Sequence, residues 1–167
     1  MISKKNLVLL GMMGVGITKI GKFVAKKLNR KFFDIDRIIE EKNNMKIVDI
    51  FATKGETFFR SEEELISLEC LKKNNSVISL GGGSFVNDKI RDKVLTSSVS
   101  FWIVVKNEVI KNRLKNNKNR PLVNKYGIKN IDELIKQRKK YYSQADFMIN
   151  CEKLTLKEIS DKIIKLI

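Results

Sequence analysis

A short apolar segment that runs directly into closely spaced glycines constrains the fold of this chain more than any other feature. Residues 6–10 read NLVLL, which is typical of a buried strand, and residues 11–21 read GMMGVGITKIG. Apolar residues then recur at helical spacing over residues 18–29. A glycine turn between a strand and a helix directs backbone N–H groups and the positive end of the helix dipole at one point, where an anion binds. The segment therefore predicts a phosphate-binding loop, with a plain tight turn as the alternative.

The glycine segment matches the nucleotide-binding pattern G-x-x-x-x-G-K-[ST] except at its lysine. Gly11, Gly16 and Thr18 occupy pattern positions, Gly14 adds a further glycine, and Ile17 stands where the lysine is expected. Isoleucine cannot donate to the β- and γ-phosphates, and losing one donor at a developing charge typically costs about 10²- to 10³-fold in rate. The backbone cradle and a Mg²⁺ ion held by the Thr18 hydroxyl do not need the lysine. We expect the chain to bind the nucleotide still, but to stabilise the transition state less well.

Lys19 is a cation close to this gap in the pattern. It lies two positions after Ile17, in the first predicted helical turn, so its side chain points in a different direction. That direction suits the α-phosphate of a nucleotide better than the γ-phosphate. We expect Lys19 to be a solvated helix lysine rather than a replacement for the missing one.

Alternating strand and helix patterns predict an α/β fold. Further buried strands are expected at 76–80 and 100–105, with weaker candidates at 31–33 and 147–150. Helical spacing recurs over residues 56–73, 107–116, 131–145 and 155–166. Such alternation predicts a parallel sheet with helices on both faces, in three α/β/α layers.

The carboxyl ends of parallel strands are where ligands of such sheets bind. We therefore expect the functional site in the turns after Leu10, Phe33 and Leu80. No internal repeat or shift in composition marks a second domain, so we expect residues 1–167 to form a single domain.

The composition excludes several kinds of site. The chain has no histidine and only two cysteines, Cys70 and Cys151, far apart and without metal-ligand spacing, which excludes a zinc site and a histidine-dependent triad. The formal net charge is +15, but the basic residues are scattered and do not alternate with aromatics, so we expect no specific nucleic-acid binding. No apolar run approaches the roughly 20 residues of a membrane-spanning helix, and no targeting segment is recognisable. We expect a cytoplasmic monomer without a membrane partner.

Five further motifs follow the glycine loop along the chain. They are FFDID at 32–36, FFRSEE at 58–63, GGG at 81–83, RPL at 120–122 and RKKYY at 138–142. In this order and at these spacings the chain resembles shikimate kinase over essentially its whole length. The resemblance implies a P-loop kinase fold with a central parallel five-stranded sheet. It also implies ATP and Mg²⁺ as cofactors and shikimate as the substrate.

The resemblance further divides the chain into functional regions. It implies a substrate-binding helical region at about 36–62 and a mobile lid at about 115–130. Arg120 lies in the lid and would close over the transferred phosphoryl group, so Asp36 and Arg120 are the predicted catalytic residues.

Two aspartates are expected to handle the metal ion and the proton. If Asp34 and Asp36 end a strand, residues two apart face the same side and both address one pocket. By resemblance, Thr18 and Asp34 hold Mg²⁺, while Asp36 binds the attacking hydroxyl and helps take its proton. An alternative for Asp36 is an N-cap ahead of the helical segment RIIEEK.

A small carboxylate substrate needs planar guanidinium groups to fix its orientation by paired hydrogen bonds. By resemblance, Arg60 and Arg138 bind the shikimate carboxylate, and Asp36 and Gly82 complete the substrate site. Arg113 is expected to pack against adenine. The predicted nucleotide site as a whole comprises Gly11, Met13, Gly14, Val15, Gly16, Ile17, Thr18, Lys19, Arg113 and Arg120.

Other functions remain open. Ile17 favours a noncatalytic protein that keeps the kinase fold and its ligand affinity. A kinase acting on a nucleoside monophosphate or another polyol is a further alternative, but such substrates have no ring carboxylate for Arg60 and Arg138 to bind. The whole motif set favours a shikimate kinase of weakened activity.

Overall fold

Five parallel strands form the centre of the protein in a computed structural model that describes residues 4–115, 127 and 130–167. The strands lie in the order β2-β3-β1-β4-β5. Their bounds are Asn6–Gly11 (β1), Lys31–Asp34 (β2), Ser76–Ser79 (β3), Ser98–Val104 (β4) and Phe147–Asn150 (β5). The predicted parallel five-stranded sheet is confirmed, including the two strands that the sequence indicated only weakly.

Helices connect the strands and cover both faces of the sheet. Their bounds are Ile17–Leu28 (α1), Ile35–Asn43 (α2), Ile47–Thr53 (α3), Gly55–Leu71 (α4), Asp88–Ser97 (α5), Asn107–Lys115 (α6), Ile131–Tyr142 (α7) and Leu156–Lys165 (α8), with a 3₁₀ turn at Ser84–Val86. Within the described ranges, every helix is too short or too polar to span a bilayer.

The core consists of two apolar layers, one on each face of the sheet. Side chains alternate along β1, so Leu7 and Leu9 pack with α1 and α8, whereas Val8 and Leu10 pack with α2, α4 and α5. Because β1 is covered on both faces, all six of its residues are buried. This arrangement confirms the three-layer α/β/α architecture.

The strand register brings the carboxyl ends of β1, β2 and β3 together. Asp34, the last residue of β2, pairs in register with Ser79, the last residue of β3. Leu80 then donates from its N–H to the carbonyl of Leu9, 3.0 Å away, just before β1 ends at Gly11. The turns after β1, β2 and β3 therefore lie at one edge of the sheet, as predicted.

One helix had no counterpart in the sequence prediction. Within α5, Ile90 and Val94 are the buried residues, Leu95 is partly buried beside them, and the rest of the segment is polar or charged. Three apolar positions within six residues form too short a stripe to mark a helix by periodicity. Asn87 begins this helix by accepting a hydrogen bond from the N–H of Ile90, 3.1 Å away.

Candidate active site

The glycine loop joins β1 to α1 as an open backbone turn. Gly14 and Gly16 have φ angles of +84° and +98°, which residues with a Cβ rarely adopt. Among the described residues, none accepts a hydrogen bond from the backbone N–H of Gly14, Gly16, Ile17 or Thr18. The first turn of α1 also holds no acidic residue. The loop therefore presents unpaired donors and the positive end of a helix dipole, which together favour an anion.

Ile17 brings only an apolar side chain to this loop. Its side chain is 9% exposed and belongs to the apolar layer beneath α1, with Val15 and Ile20. Its carbonyl oxygen accepts a hydrogen bond from the Ser79 hydroxyl at 3.4 Å. The position at which the pattern has a lysine is thus filled by a buried apolar side chain.

Thr18 connects the loop to the end of β2. Its Oγ1 donates a 2.6 Å hydrogen bond to Oδ2 of Asp34. Oδ1 of the same carboxylate accepts from the N–H of Arg37 at 3.2 Å and so caps α2. A hydroxyl and a carboxylate oxygen in contact are hard oxygen donors of the kind that Mg²⁺ prefers.

Asp36 reaches the site by a different route from the one predicted. The strand ends at Asp34, and Asp36 lies in the first turn of α2. The prediction that both residues extend a strand and face one side by alternation was therefore wrong, and so was the N-cap alternative for Asp36, because Asp34 is the N-cap. Both carboxylates nevertheless line the same cavities.

Arg60 is held by a buried acid. Its Nη1 lies 2.6 Å from Oε2 of Glu63, which is 2% exposed, and its Nη2 lies 3.5 Å from Oε1 of Glu56. The Ser84 hydroxyl donates to the other oxygen of Glu63 at 2.6 Å. Burial by itself would lower the pKa of Arg60, but the charges and hydrogen bonds of Glu63 and then Glu56 raise it above its ordinary value. The guanidinium is therefore charged and fixed in direction.

Arg138 lies on α7 and is 6% exposed. Its Nη1 donates to the Met12 sulfur at 3.5 Å, next to the glycine loop. One turn later, the Tyr142 hydroxyl donates to the carbonyls of Gly11 and Gly82. Burial raises the pKa of Tyr142 against the lowering effect of Arg138, so the hydroxyl keeps the proton that it donates. Tyr142 thus ties the loop after β1 to the loop after β3.

The three glycines after β3 make room for the charged side chains. A Cβ at Gly81 would lie 2.6 Å from Oδ1 of Asp36, and one at Gly83 would lie 2.6 Å from Nη1 of Arg60. A Cβ at Gly82 would lie 3.4 Å from Nη1 of Arg138. Neighbouring glycines therefore contact both guanidinium groups and the carboxylate that the sequence singled out.

Two cavities meet at this edge of the sheet. The loop cavity, of about 530 Å³, surrounds the glycine loop and extends to Arg113 and to apolar residues before and within α8. The α2 cavity, of about 730 Å³, lies between α2, α3 and α4 and includes Arg60 and Glu63. The two cavities share five lining residues, which are Met13, Thr18, Asp34, Asp36 and Gly82. A ligand in either cavity therefore approaches the two aspartates.

Arg113 approaches the loop cavity from α6. Its Nη1 donates a 2.8 Å hydrogen bond to the carbonyl of Gly14. Nearby, Leu114, Cys151 and Leu154 give this end of the cavity an apolar wall. Burial raises the pKa of Cys151 to about 11, against smaller lowering effects of Lys162 and Arg113, so its thiol is protonated at neutral pH. A charged guanidinium beside an apolar wall suits a flat aromatic base.

Comparison with known proteins identifies the family. A sequence model described as shikimate kinase matches residues 13–167. The shikimate kinase of Thermodesulfovibrio yellowstonii is 43% identical over 163 residues, which are 96% of this chain and 94% of the relative. The chain belongs to the shikimate kinase family.

Solved shikimate kinases share the fold along nearly the whole chain. The shikimate kinase from Acinetobacter baumannii in complex with shikimate matches with a TM-score of 0.93 and 28% identity, covering 99% of this chain and 93% of that one. The shikimate kinase from Aquifex aeolicus matches with a TM-score of 0.84 and 31% identity, covering 96% and 94%.

Within this shikimate kinase fold, the predicted site residues separate into three groups. The first group lines the cavities and consists of Gly11, Met13, Gly14, Val15, Gly16, Ile17, Thr18, Lys19, Asp34, Asp36, Arg60, Gly82 and Arg113. Arg138 lies behind them, in contact with Met12 and close to Gly82. The predicted lid, apart from residues 115, 127 and 130, lies outside the described residues, and so does Arg120.

Two residues of this candidate site were not predicted from the sequence. Glu63 is part of the FFRSEE motif, yet only Arg60 was selected from it. The available signal was the spacing, because residues three apart share a helix face and an acid at that distance can hold the guanidinium. Tyr142 gave no comparable signal, since its partners are two backbone carbonyls far away in sequence.

Proposed function

We propose that this protein transfers the γ-phosphoryl group of ATP to the 3-hydroxyl of shikimate. The product is shikimate 3-phosphate, on the route to chorismate and the aromatic amino acids. The observation that carries this assignment is the junction of the two cavities at Thr18, Asp34 and Asp36. A phosphoryl transferase needs its donor and acceptor in adjacent compartments with the reacting atoms at the boundary.

The α2 cavity is the proposed shikimate site. Arg60 is charged and fixed by Glu63, so it can present a planar fork to the ring carboxylate, and Arg138 would add the second fork. Asp36 would accept a hydrogen bond from the attacking hydroxyl and help remove its proton. Gly82 allows the substrate ring to approach the backbone closely.

The loop cavity is the proposed ATP site. The unpaired N–H groups of the glycine loop would bind phosphate oxygens, and the apolar wall near Arg113 would hold the adenine. Thr18 and Asp34 would hold Mg²⁺, which, when bound, offsets negative charge on the phosphates. The described residues hold no cluster of three acidic, histidine or cysteine ligands, so phosphate oxygens and water would complete the coordination. Arg120 is proposed to act on the transferred phosphoryl group.

Ile17 makes the proposed enzyme a slow kinase. Its buried side chain donates nothing to the phosphates, so stabilisation of the transferring group depends on the remaining cations and the backbone. The same feature favours a second candidate, a noncatalytic protein that binds the nucleotide and shikimate. The charged pair of Arg60 and Glu63 favours the kinase, because a buried carboxylate such as that of Glu63 is costly to keep without a ligand for its partner to orient.

Steady-state ADP release with ATP, Mg²⁺ and shikimate tests this assignment. The unaltered protein is compared with Ile17→Lys, and Asp36→Asn in each background serves as the control for acceptor chemistry. We expect shikimate-dependent turnover in the unaltered protein and in Ile17→Lys, about 10²-fold faster in the latter. Adding Asp36→Asn should abolish turnover in either background. Turnover in neither protein, with ADP and shikimate binding retained, would establish the noncatalytic candidate instead. Faster turnover with another polyol or with a nucleoside monophosphate would replace shikimate as the acceptor.

The remaining features of the proposal concern the protein as a whole. We propose that residues 1–167 act as one domain and as a monomer, because both cavities are formed within one chain. We propose the cytoplasm as the compartment, since the reaction draws on ATP. Sedimentation with and without ligands checks the monomer.

A further inference from the structure

Lys19 lies in the first turn of α1 and lines the loop cavity together with Gly16 and Thr18. Its side chain is exposed and makes no ion pair or hydrogen bond with any described residue, whereas its backbone N–H donates to the carbonyl of Gly16. The sequence placed Lys19 in the predicted nucleotide site but favoured a solvated helix lysine over a replacement for the missing one. An unpaired ammonium group on the wall of a phosphate-binding cavity calls for a more specific explanation.

Two cations line the described part of the loop cavity, Lys19 and Arg113. They differ in their partners. The Arg113 guanidinium donates to the carbonyl of Gly14 at 2.8 Å and is thereby tied to the loop backbone. Lys19 has no such partner, so its charge is available to a ligand. Of the two cations, Lys19 can therefore turn fully toward a bound phosphate.

The direction of Lys19 follows from helix geometry. Two residues along an α-helix correspond to a rotation of about 200°, so Lys19 and Ile17 project from nearly opposite sides of α1. Ile17 is buried in the apolar layer, and Lys19 consequently projects toward solvent beside the loop. The unpaired N–H groups of Ile17 and Thr18 are at the same end of the helix. An anion bound there would meet the helix dipole, these donors and the Lys19 ammonium together.

We propose that Lys19 binds the α-phosphate of the nucleotide and restores affinity that the chain loses through Ile17. This inference rests on the proposed ATP site in the loop cavity. Lys19 is the third residue of α1, whereas a lysine at position 17 would begin the helix directly after the loop and reach the terminal phosphates. Lys19 thus contributes to holding the nucleotide and not to stabilising the γ-phosphoryl group during transfer. Lys19 therefore restores nucleotide binding but not the catalytic contribution of the lysine that Ile17 replaces.

Nucleotide titration without shikimate tests this role directly. Affinities for ADP, AMP and adenosine are measured calorimetrically for the unaltered protein, Lys19→Gln and Lys22→Gln. Lys22 is the matched control, because it is an exposed lysine of the same helix that lines neither cavity. We expect Lys19→Gln to weaken ADP and AMP about tenfold and to leave adenosine unchanged, with Lys22→Gln equal to the unaltered protein. Thermal unfolding of each variant checks that the fold is intact.

Other results of the titration would overturn the assignment. Equal affinities of Lys19→Gln and the unaltered protein for ADP and AMP would remove Lys19 from the site. A loss for ADP without a loss for AMP would move its contact to the β-phosphate. Equal losses in the two lysine variants would reduce the effect to general charge attraction.

A double variant separates Lys19 from the missing lysine. Lys19→Gln is introduced into Ile17→Lys, and the loss of ADP affinity is compared with the loss in the original background. If Lys19 compensates for Ile17, the loss falls from about tenfold to about twofold once position 17 carries a charge. Equal losses in both backgrounds would contradict compensation. These titrations contain no acceptor. A failure of the protein to phosphorylate shikimate would therefore contradict the proposed function without contradicting the proposed contact between Lys19 and the α-phosphate.

Discussion

Thr18 donates a 2.6 Å hydrogen bond from its hydroxyl to Oδ2 of Asp34. This bond connects the glycine loop after β1 to the start of α2, because the other oxygen of Asp34 caps that helix. The proposed metal ligands are therefore oriented by the fold itself. Preorganised oxygen donors are what an ion with strict octahedral preferences requires.

Thr18→Val tests the hydroxyl with little change in shape. We expect kcat/KM for MgATP to fall about 10²-fold, because both the bond to Asp34 and a proposed oxygen ligand of Mg²⁺ are lost. Thr18→Ser is the matched control, since it keeps the hydroxyl and should retain most of the activity. Full activity of Thr18→Val would remove Thr18 from the proposed metal site.

Glu63→Gln tests the buried acid behind Arg60. The substitution removes the negative charge that fixes the guanidinium, so KM for shikimate should rise about tenfold while KM for ATP stays nearly constant. The melting temperature should also fall, because Arg60 loses its main partner. Glu64→Gln provides the comparison, since this neighbouring acid pairs with Lys89 at the surface and is absent from both cavities. An unchanged KM for shikimate would mean that Glu63 is structural only.

Alanine at Gly81 and at Gly83 should have different kinetic effects. The added methyl at Gly83 displaces the end of Arg60, so KM for shikimate should rise more than kcat falls. The methyl at Gly81 meets Asp36 and Glu63 instead, and it should lower kcat by about tenfold or more. Steady-state kinetics on the two variants checks this contrast. Identical kinetic profiles would indicate a common backbone disturbance.

Cys151 should react slowly with alkylating reagents. Burial raises the pKa of its thiol to about 11 from an ordinary value near 9.0, so little thiolate exists at pH 8. In a Cys70→Ala background, the alkylation rate should keep rising up to about pH 11. Saturation near pH 9 would show that the thiol is not shielded.

The same shift links Cys151 to stability at high pH. Above about pH 9 the unfolded chain loses the thiol proton while the folded protein retains it, so the folded state binds more protons and loses stability as pH rises to about 11. The effect is absent below pH 9, where both states are protonated. Chemical unfolding at pH 8 and pH 10.5 measures this, and Cys151→Ala should show a smaller decline.

The sequence was sufficient for the sheet and the residues at its edge. Buried parallel strands leave continuous apolar runs, and the ligands of such sheets bind in the turns that follow them. The glycine loop was equally clear, since Gly11, Gly16 and Thr18 form a pattern with a known backbone geometry. These features depend on residues that are close together along the chain.

The contacts of the site were harder to predict because they join distant segments. Asp36 was expected on a strand, but the chain enters α2 one residue after β2, with Asp34 as the cap. Tyr142 holds the loops after β1 and β3 through backbone carbonyls, an arrangement that no local pattern encodes. Periodicity and motif spacing describe one segment at a time, whereas these contacts arise from tertiary packing.

The two cavities have five lining residues in common, and this has a consequence for inhibitor design. A single molecule that joins a nucleotide-like part to a carboxylate-bearing ring would need only a short linker between them. Once one part is bound, the other is held at an effective concentration in the millimolar range or above, so the linked compound should bind far more tightly than its separate halves. The junction between the cavities sets the best linker length, and a series of compounds differing by one methylene at a time would measure it.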